Sequence, residues 1–346
     1  MTIDPLTRRQ FQRFREIRRG RYSAVALVIL ILSTGFTELL VNNRAIVVSY
    51  QGEWHFPTYA DFKPGTTFGF DYQYETNYRE LEQKLSESNE GWVLMPPIPF
   101  GPYEINTYDD QFAPHPPNFE QGHYLGTDTA GRDVLARLVY GFRIAIWFSL
   151  ILLVTTFAVG ISVGCAMGYY GGAFDLFFQR IIEVWSNVPF LYVIMIIASI
   201  ITPSFGLLIL LMVVFGWMGM TWYMRTATYK EAARDYVMAS RSLGASNTRI
   251  IFRHILPNTL SLIITFVPFS ITGGITSLTS LDYLGFGLPP PTPSWGELLK
   301  QGTDNLDALW IVTSVVSALV ILLVMVTFVG EAIREAFDPK KHTIYE

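Results

Sequence analysis

The side chains that could do chemistry in this 346-residue chain are few, and their spacing argues against most of it. The five histidines, His55, His115, His123, His254 and His342, show no metal-ligand spacing. No lysine follows a glycine, so no G-x-x-x-x-G-K-S/T phosphate loop can be drawn. No nucleophile sits in a recognisable elbow. The single cysteine, Cys165, lies inside an apolar run, where it excludes intrachain disulfides and serves packing. A carrier driven by an ion gradient needs ionisable groups within its spans, where each costs roughly 2.5 to 3.5 kcal/mol to place. Here Glu38 and Asp282 stand at the ends of apolar runs, and Arg180 and Glu183 in the approach to another. What remains is one arginine-rich stretch, "DYVMASRSLGASNTRIIFRHILPN" from Asp235 to Asn258, set between two apolar runs and without catalytic apparatus.

The elements that must position this stretch are membrane spans. Half of the residues are hydrophobic and 16% are charged, and runs of about 18 or more uncharged residues favour a bilayer. Six such runs are expected, at Tyr22 to Val41, Ile144 to Met167, Trp185 to Thr202, Phe205 to Trp222, Thr259 to Leu281 and Leu309 to Val329. The third has Pro189 near its start and Pro203 just past its end.

Lysine and arginine in short flanks set orientation. Arg8, Arg9, Arg13, Arg15, Arg18, Arg19 and Arg21 precede the first span, which places the N-terminus in the cytoplasm. Six crossings return the C-terminus to the same side, together with Arg225, Lys230, Arg234, Arg241, Arg249 and Arg253. The segment between spans one and two, with Asp61, Asp71, Glu75, Glu80, Glu82, Asp109 and Asp110, falls outside. "TRRQFQRF" at Thr7 resembles a twin-arginine export signal, but the run after it is long and lacks a small-x-small site, which favours an uncleaved anchor. Phe11, Phe14 and Ile17 among the arginines fit a helix on the inner leaflet, or simply a topology determinant.

The outer segment, Asn42 to Tyr140, is rich in Tyr, Pro and Asp, and Trp54 and Trp92 are its candidate core residues. "GEWHFPTY" and "GWVLMPPIPFGPYEI" read as short extended pieces, and "YRELEQKLSES" as one short helix. An external cap and an inert insertion are equally compatible with it. Gly160, Gly164 and Gly168 in span two form a small-xxx-small face for close helix packing. In span five, Pro268 with Gly273 and Gly274 predicts a bent or interrupted helix, either lining a cavity or merely kinked for packing.

In the arginine-rich stretch, "YVMASRSLG" makes about two helical turns closed by Gly244 as a left-handed cap. Ser246 then caps a second helix through "NTRIIFRHI", which Pro257 interrupts before the membrane is re-entered.

These features resemble the membrane-spanning permease subunits of bacterial ATP-binding-cassette importers. Their cytoplasmic loop follows E-A-A, three residues, G, nine residues, I-x-L-P. The "EAA" at Glu231 to Ala233 is out of register; the in-register residues are Met238, Ala239, Ser240, Gly244, His254, Leu256 and Pro257, so Glu231 falls outside the motif. "LGTDTAGRDVLARLVYGFR" from Leu125, "YLGFGLPPPTPSWGELL" from Tyr283 and "GEAIREAFDPK" from Gly330 resemble the C-type permeases of peptide and nickel importers. The long segment with "NEGWVLMPPIPFG" at Asn89 resembles the Yej-type inner-membrane permeases, implicated in uptake of peptides and of the peptide-nucleotide antibiotic microcin C.

The resemblance implies an all-α polytopic protein of the type I importer permease fold, with six transmembrane helices, both termini cytoplasmic, in a bacterial inner membrane. Its parts would be an N-terminal segment and first helix at 1–41, a periplasmic insertion at 42–140, a transmembrane core at 141–338 with a coupling loop at 223–258, and a tail at 339–346. It further implies no catalysis and no cofactor in this chain, with ATP and Mg bound by a partner ATPase. The other implied partners are a second permease in a heterodimer, a periplasmic substrate-binding protein and membrane lipid, but no nucleic acid. The socket contact with the ATPase would fall to Tyr236, Val237, Ala239, Ser240, Leu243 and Gly244, framed by Ala245, Ser246 and Arg249, with Arg241 facing an acidic rim. For Arg241, Arg249 and Arg253 a purely topological role is an equal reading. An ion-coupled carrier, a channel and a membrane-anchored enzyme are the alternatives from other classes.

Overall fold

The computed structural model describes residues 5–60, 62–88, 90–107 and 112–337. Asp61, Asp109, Asp110, His342, residues 339–346 and the side chains of Arg8 and Arg9 lie outside the described residues. A basic helix, α1 (Pro5–Glu16), turns at Ile17 into α2 (Arg18–Ser33), which one 3-10 turn joins to α3 (Thr37–Leu40). Together Arg18–Leu40 form the first apolar span. Its N-terminal end packs on the last helix of the chain: Gly20 fits against Ala332, and the Arg19 guanidinium lies 3.3 Å from Glu331.

The outer segment has its own core. Strands β1 (Val47–Tyr50), β2 (Glu53–His55) and β3 (Gly91–Leu94) form an antiparallel sheet in the order β2-β1-β3, with helix α4 (Tyr78–Ser88) between β2 and β3 in sequence. Gln51 and Gly52, both at positive φ (50° and 86°), close the β1–β2 hairpin with the twist that two-residue turns favour. The apolar stripe of α4, Tyr78, Leu81 and Leu85, buries against Val48 and Phe68. The expectation of an all-α chain is thus corrected for this segment, while the spanning part is helical.

Trp54 and Trp92 are not core residues. Both lie opposite Ser49, and Val48, which is fully buried, opposes His55 and Val93. Because strand side chains alternate, the tryptophans share the outer face. They are 63% and 47% exposed and pack edge to face on one another, with ring centres 5.8 Å apart.

The membrane core begins at α5 (Val134–Tyr170), capped by the Asp133 carboxylate, which accepts from the Ala136 amide at 2.7 Å. After Gly171 and Gly172, both at positive φ, come α6 (Gly172–Ser186) and α7 (Phe190–Ile200). The expected third span is therefore not one straight helix: α6 and α7 pass as a span only together and bend by 67° where Pro189 removes a backbone donor. Helix α8 (Phe205–Ala232) follows, then α9 (Asp235–Ser242), α10 (Asn247–Ile250) and α11 (Leu256–Tyr283). A short helix, α12 (Trp295–Asp304), precedes α13 (Leu309–Phe337). Among the described residues, five helices are long and apolar enough to cross a bilayer, or six with the bent pair.

Helices α5 and α8 approach most closely where three glycines line one face. A Cβ on Gly164 would stand 2.6 Å from the Thr221 carbonyl oxygen; on Gly160 it would stand 2.8 Å from Met220 Cβ, and on Gly168 2.8 Å from Thr228 Cβ. Gly274 of α11 meets α5 in the same manner at Ser149.

Candidate functional site

Helix α9 hangs below α8 as a short, exposed rod with well-defined ends. It stops in a two-bond glycine cap: Ala245 N–H donates to Ser240 O at 3.1 Å and Gly244 N–H to Arg241 O at 3.0 Å, with Gly244 at φ 82°. The Ser246 hydroxyl then accepts from the Arg249 amide and starts α10.

Expectation and structure part at Pro257. The chain from Asn247 to Tyr283 is one 37-residue helical rod. Residues Ile251–Ile255 wind as a π turn, in which Leu256 N–H reaches Ile251 O, so Pro257 falls in the first turn of α11, where its missing donor costs little. The side-chain amide of Asn258 donates to His254 O at 2.5 Å. Pro257 therefore does not interrupt the helix, and α10 is continuous with the span of α11. Span five is likewise uninterrupted: Pro268 lies inside α11, where Thr272 Oγ1 donates to its carbonyl at 3.1 Å.

Only one face of α9 touches the rest of the chain. Val237, 1% exposed, packs with Tyr169, Ile250 and Ile255. It seats α9 on its own chain. Leu243 is 89% exposed, Met238 51%, and Ala239, Gly244, Ser246 and Arg249 are exposed as well, while Ser240 and Ala245 are half-buried.

Polar contacts fix the rod to three different helices. Tyr236 Oη donates to Glu231 Oε2 of α8 at 2.7 Å and accepts from Asn258 Nδ2 of α11 at 3.2 Å. Ser240 Oγ stands 3.3 Å from His254 Nε2. The Arg241 guanidinium lies 5.1 Å from the centre of the Tyr169 ring, whose hydroxyl donates to Asn247 Oδ1 at 2.8 Å. Burial, and then the bond and charge of Glu231, push the Tyr236 hydroxyl up to about 12. Glu231, outside the motif register, is thus a contact that sequence reasoning missed; its place five residues before Tyr236, across a turn, was the available signal.

At the opposite end, a buried charge cluster joins the loop before α5 to α12. Arg132 donates to Asp128 at 2.7 Å and to Glu297 at 2.9 Å. Arg137, fully buried, bonds Glu297 and donates to the carbonyls of Pro102 and Pro291 at 3.1 and 3.2 Å. His123 Nδ1 lies 2.7 Å from Asp133, and Trp295 Nε1 donates to Leu138 O at 2.8 Å. The cluster falls in the two stretches from Leu125 and Tyr283, and ties them to each other and to the outer segment.

Midway along the rods, a cavity of about 350 Å³ opens between α5, α8 and α11. Thr156, Ser270, Ser277 and Tyr223 supply hydroxyls to its wall, among Phe157 and Phe266. Gly219 and Gly273 have open space where a side chain would be, so these glycines widen the wall. No group of three or more His, Cys, Asp or Glu side chains able to hold a metal ion occurs among the described residues.

Residues 160–343 match the family of binding-protein-dependent transport system inner membrane components. The chain belongs to that family. Over 98% of both chains it is 40% identical to the inner membrane ABC transporter permease protein YejE of Escherichia coli. It is 38% identical to the peptidoglycan transport system permease protein YejE of Agrobacterium fabrum, over 98% of this chain and 94% of that one. With the dipeptide transport system permease protein DppC of Haemophilus influenzae it shares 36% identity over 72% of this chain and 85% of that protein. The chain is therefore a helical, multi-pass inner-membrane permease subunit of an ATP-binding-cassette importer, a non-catalytic part whose ATPase and substrate-binding functions reside in partner proteins. Membership sets aside the ion-coupled carrier, the channel and the anchored enzyme.

Proposed function

We propose that this permease is one half of a heterodimeric path that carries peptides or peptide-like solutes across the inner membrane, with both termini in the cytoplasm. The outer segment, 42–140, would face the periplasm, where a soluble binding protein delivers substrate. The ATPase, holding ATP and Mg, would grip α9 and rock the spans through the continuous rod of α10 and α11. The observation that carries this reading is the exposed tip of α9 at Leu243, 89% exposed on a helix fixed to α5, α8 and α11. A rod so anchored passes a displacement to three spans together.

The substrate class follows from the relatives, two named for peptide or peptidoglycan transport. Peptide backbones are common to both, and the hydroxyl-bearing, uncharged wall near Thr156 and Ser270 suits amide groups. Uptake of oligopeptides, peptidoglycan stem peptides and peptide-nucleotide conjugates such as microcin C, compared in cells with and without the permease, tests the class. Coupling is tested with Leu243→Cys, since Cys165 is buried. A crosslink to the co-purified ATPase at this position is expected. An assembled complex with no crosslink there overturns the coupling assignment.

A further inference from the structure

The first span packs on the rest of the chain along its length, with Gly20, Ser23 and Leu27 buried and Trp147 Nε1 donating to Thr34 Oγ1 at 3.2 Å, and one face of it leaves a gap. Near its N-terminal end Gly20 packs on Ala332. At its C-terminal end Asn42 N–H donates to Ile98 O and Ile98 N–H to Leu40 O, both at 3.1 Å, and Tyr140 Oη donates to Val41 O at 3.1 Å. Between these ties lies a cavity of about 470 Å³, walled by Leu30, Leu138, Phe142, Ala318 and Leu322 and reached by the Trp295 indole. The lone hydroxyl on its wall, Ser33 Oγ, donates to Leu30 O at 2.7 Å. Nothing inside calls for water, and apolar cavities of this kind stay dry. Three membrane-spanning helices form its sides, and Val41, Pro97, Ile98 and Trp295 complete the wall, so the molecules able to enter between the spans are lipids.

Both signs of charge adjoin lining residues along the chain. Glu38, two residues before Leu40, and Arg143, next to Phe142, pair at 2.7 Å with side chains about one-third exposed (35% and 37%). A carboxylate beside a guanidinium matches an ammonium beside a phosphate. We propose that this cavity binds one acyl chain of a zwitterionic phospholipid, with its headgroup held at Glu38 and Arg143. The site lies in the leaflet next to the outer segment and depends only on the chain crossing a bilayer, not on what the permease carries.

The test uses the full-length permease, as purified with its partners, in nanodiscs containing phosphatidylethanolamine with brominated acyl chains. Subtracting Trp295→Phe isolates the Trp295 fluorescence from that of the other tryptophans. The expected result is loss of that component on bromination in the native chain and its return in Ala318→Phe, which plugs the cavity. No loss in the native chain, or equal loss in the plugged variant, overturns the proposal. Should either variant fail to assemble, native mass spectrometry reads the same site: one phospholipid retained by the native chain and absent from Ala318→Leu supports it, and equal retention by both refutes it. With brominated phosphatidylethanolamine as a minor component among anionic lipid, Glu38→Gln with Arg143→Gln should reduce the quenching. Unchanged quenching there overturns the headgroup assignment.

Discussion

The hydroxyl of Tyr236 donates to a carboxylate oxygen of Glu231 across 2.7 Å, tying the first turn of α9 to the last turn of α8. A push on α9 therefore reaches α8 through a bond between side chains as well as through the backbone of residues 233–234. Tyr236→Phe keeps the ring and removes the bond. It is expected to lower uptake several-fold while membrane abundance and ATP hydrolysis persist, read as uptake per ATP hydrolysed. The folded chain holds this proton up to about 12, against 10.0 for the ordinary phenol. Its contribution is thus full below about pH 10 and is lost as pH rises through about 12, so the effect of the variant is constant across neutral pH. A variant with unchanged coupling would remove Tyr236 from the transmission path.

Gly244 holds φ 82° at the cap of α9, with open space around it. A β-branched residue there meets no neighbour but pays about 1–3 kcal/mol of backbone strain, enough to unwind the cap and misplace Leu243. Gly244→Val is expected to abolish uptake with insertion intact, measured as transport against membrane abundance. Normal uptake by that variant would sink the coupling assignment.

Gly164 poses the opposite case, a glycine needed for closeness. Its Cβ would lie 2.6 Å from Thr221 O, a backbone atom that can move only with α8. Gly164→Leu is expected to destabilise the α5–α8 pair by at least the 1–3 kcal/mol typical of overpacking and to lower the thermal midpoint of the purified permease. An unshifted midpoint would mean that the helices can separate at little cost.

The outer sheet separates core from surface in a way composition does not reveal. Trp54→Ala with Trp92→Ala should shift stability by no more than about 1.5 kcal/mol, given exposed positions worth roughly 0.5 kcal/mol each and an edge-to-face pair of similar size. Leu81→Ala, on the fully buried stripe of α4, should cost about 2–5 kcal/mol. Thermal unfolding of the three variants checks the order, and a reversed order would invert the face assignment.

That reversal of Trp54 and Trp92 marks where sequence reading ended. Spans were legible because length and apolarity are local, and the turn at Gly244 and cap at Ser246 because capping is a matter of a few adjacent residues. The strand β1 was not, because four residues of mixed polarity carry too little periodicity, and without it the parity of β2 and β3 had no reference. The bend at Pro189 was signalled by proline, but its angle is set by packing. The π turn at Ile251–Ile255 has no sequence signature of its own and hid the continuity of α10 with α11. The charge cluster was invisible for a plainer reason: Arg137 and Glu297 are 160 residues apart and meet only in three dimensions.

That cluster supports the last prediction. Arg137 is fully buried and carries Glu297, Asp128 and three backbone carbonyls on one guanidinium. Its planar fork serves several acceptors in different directions, which a lysine ammonium on a single stem cannot reproduce. Removing Arg137 leaves the carboxylates of Asp128 and Glu297 to share Arg132 alone, a loss of the size of a broken buried pair, about 3–5 kcal/mol. Arg137→Met should therefore fall near that cost, and Arg137→Lys should recover only part of it. Arg137→Met combined with Glu297→Gln should be milder than Arg137→Met alone, because one of the two carboxylates competing for Arg132 is gone and Arg132 keeps Asp128. Thermal unfolding of the purified permease with these three variants gives the comparison. A double variant worse than the single one would mean that the Arg132–Glu297 bond, and not Arg137, docks α12 on the loop before α5.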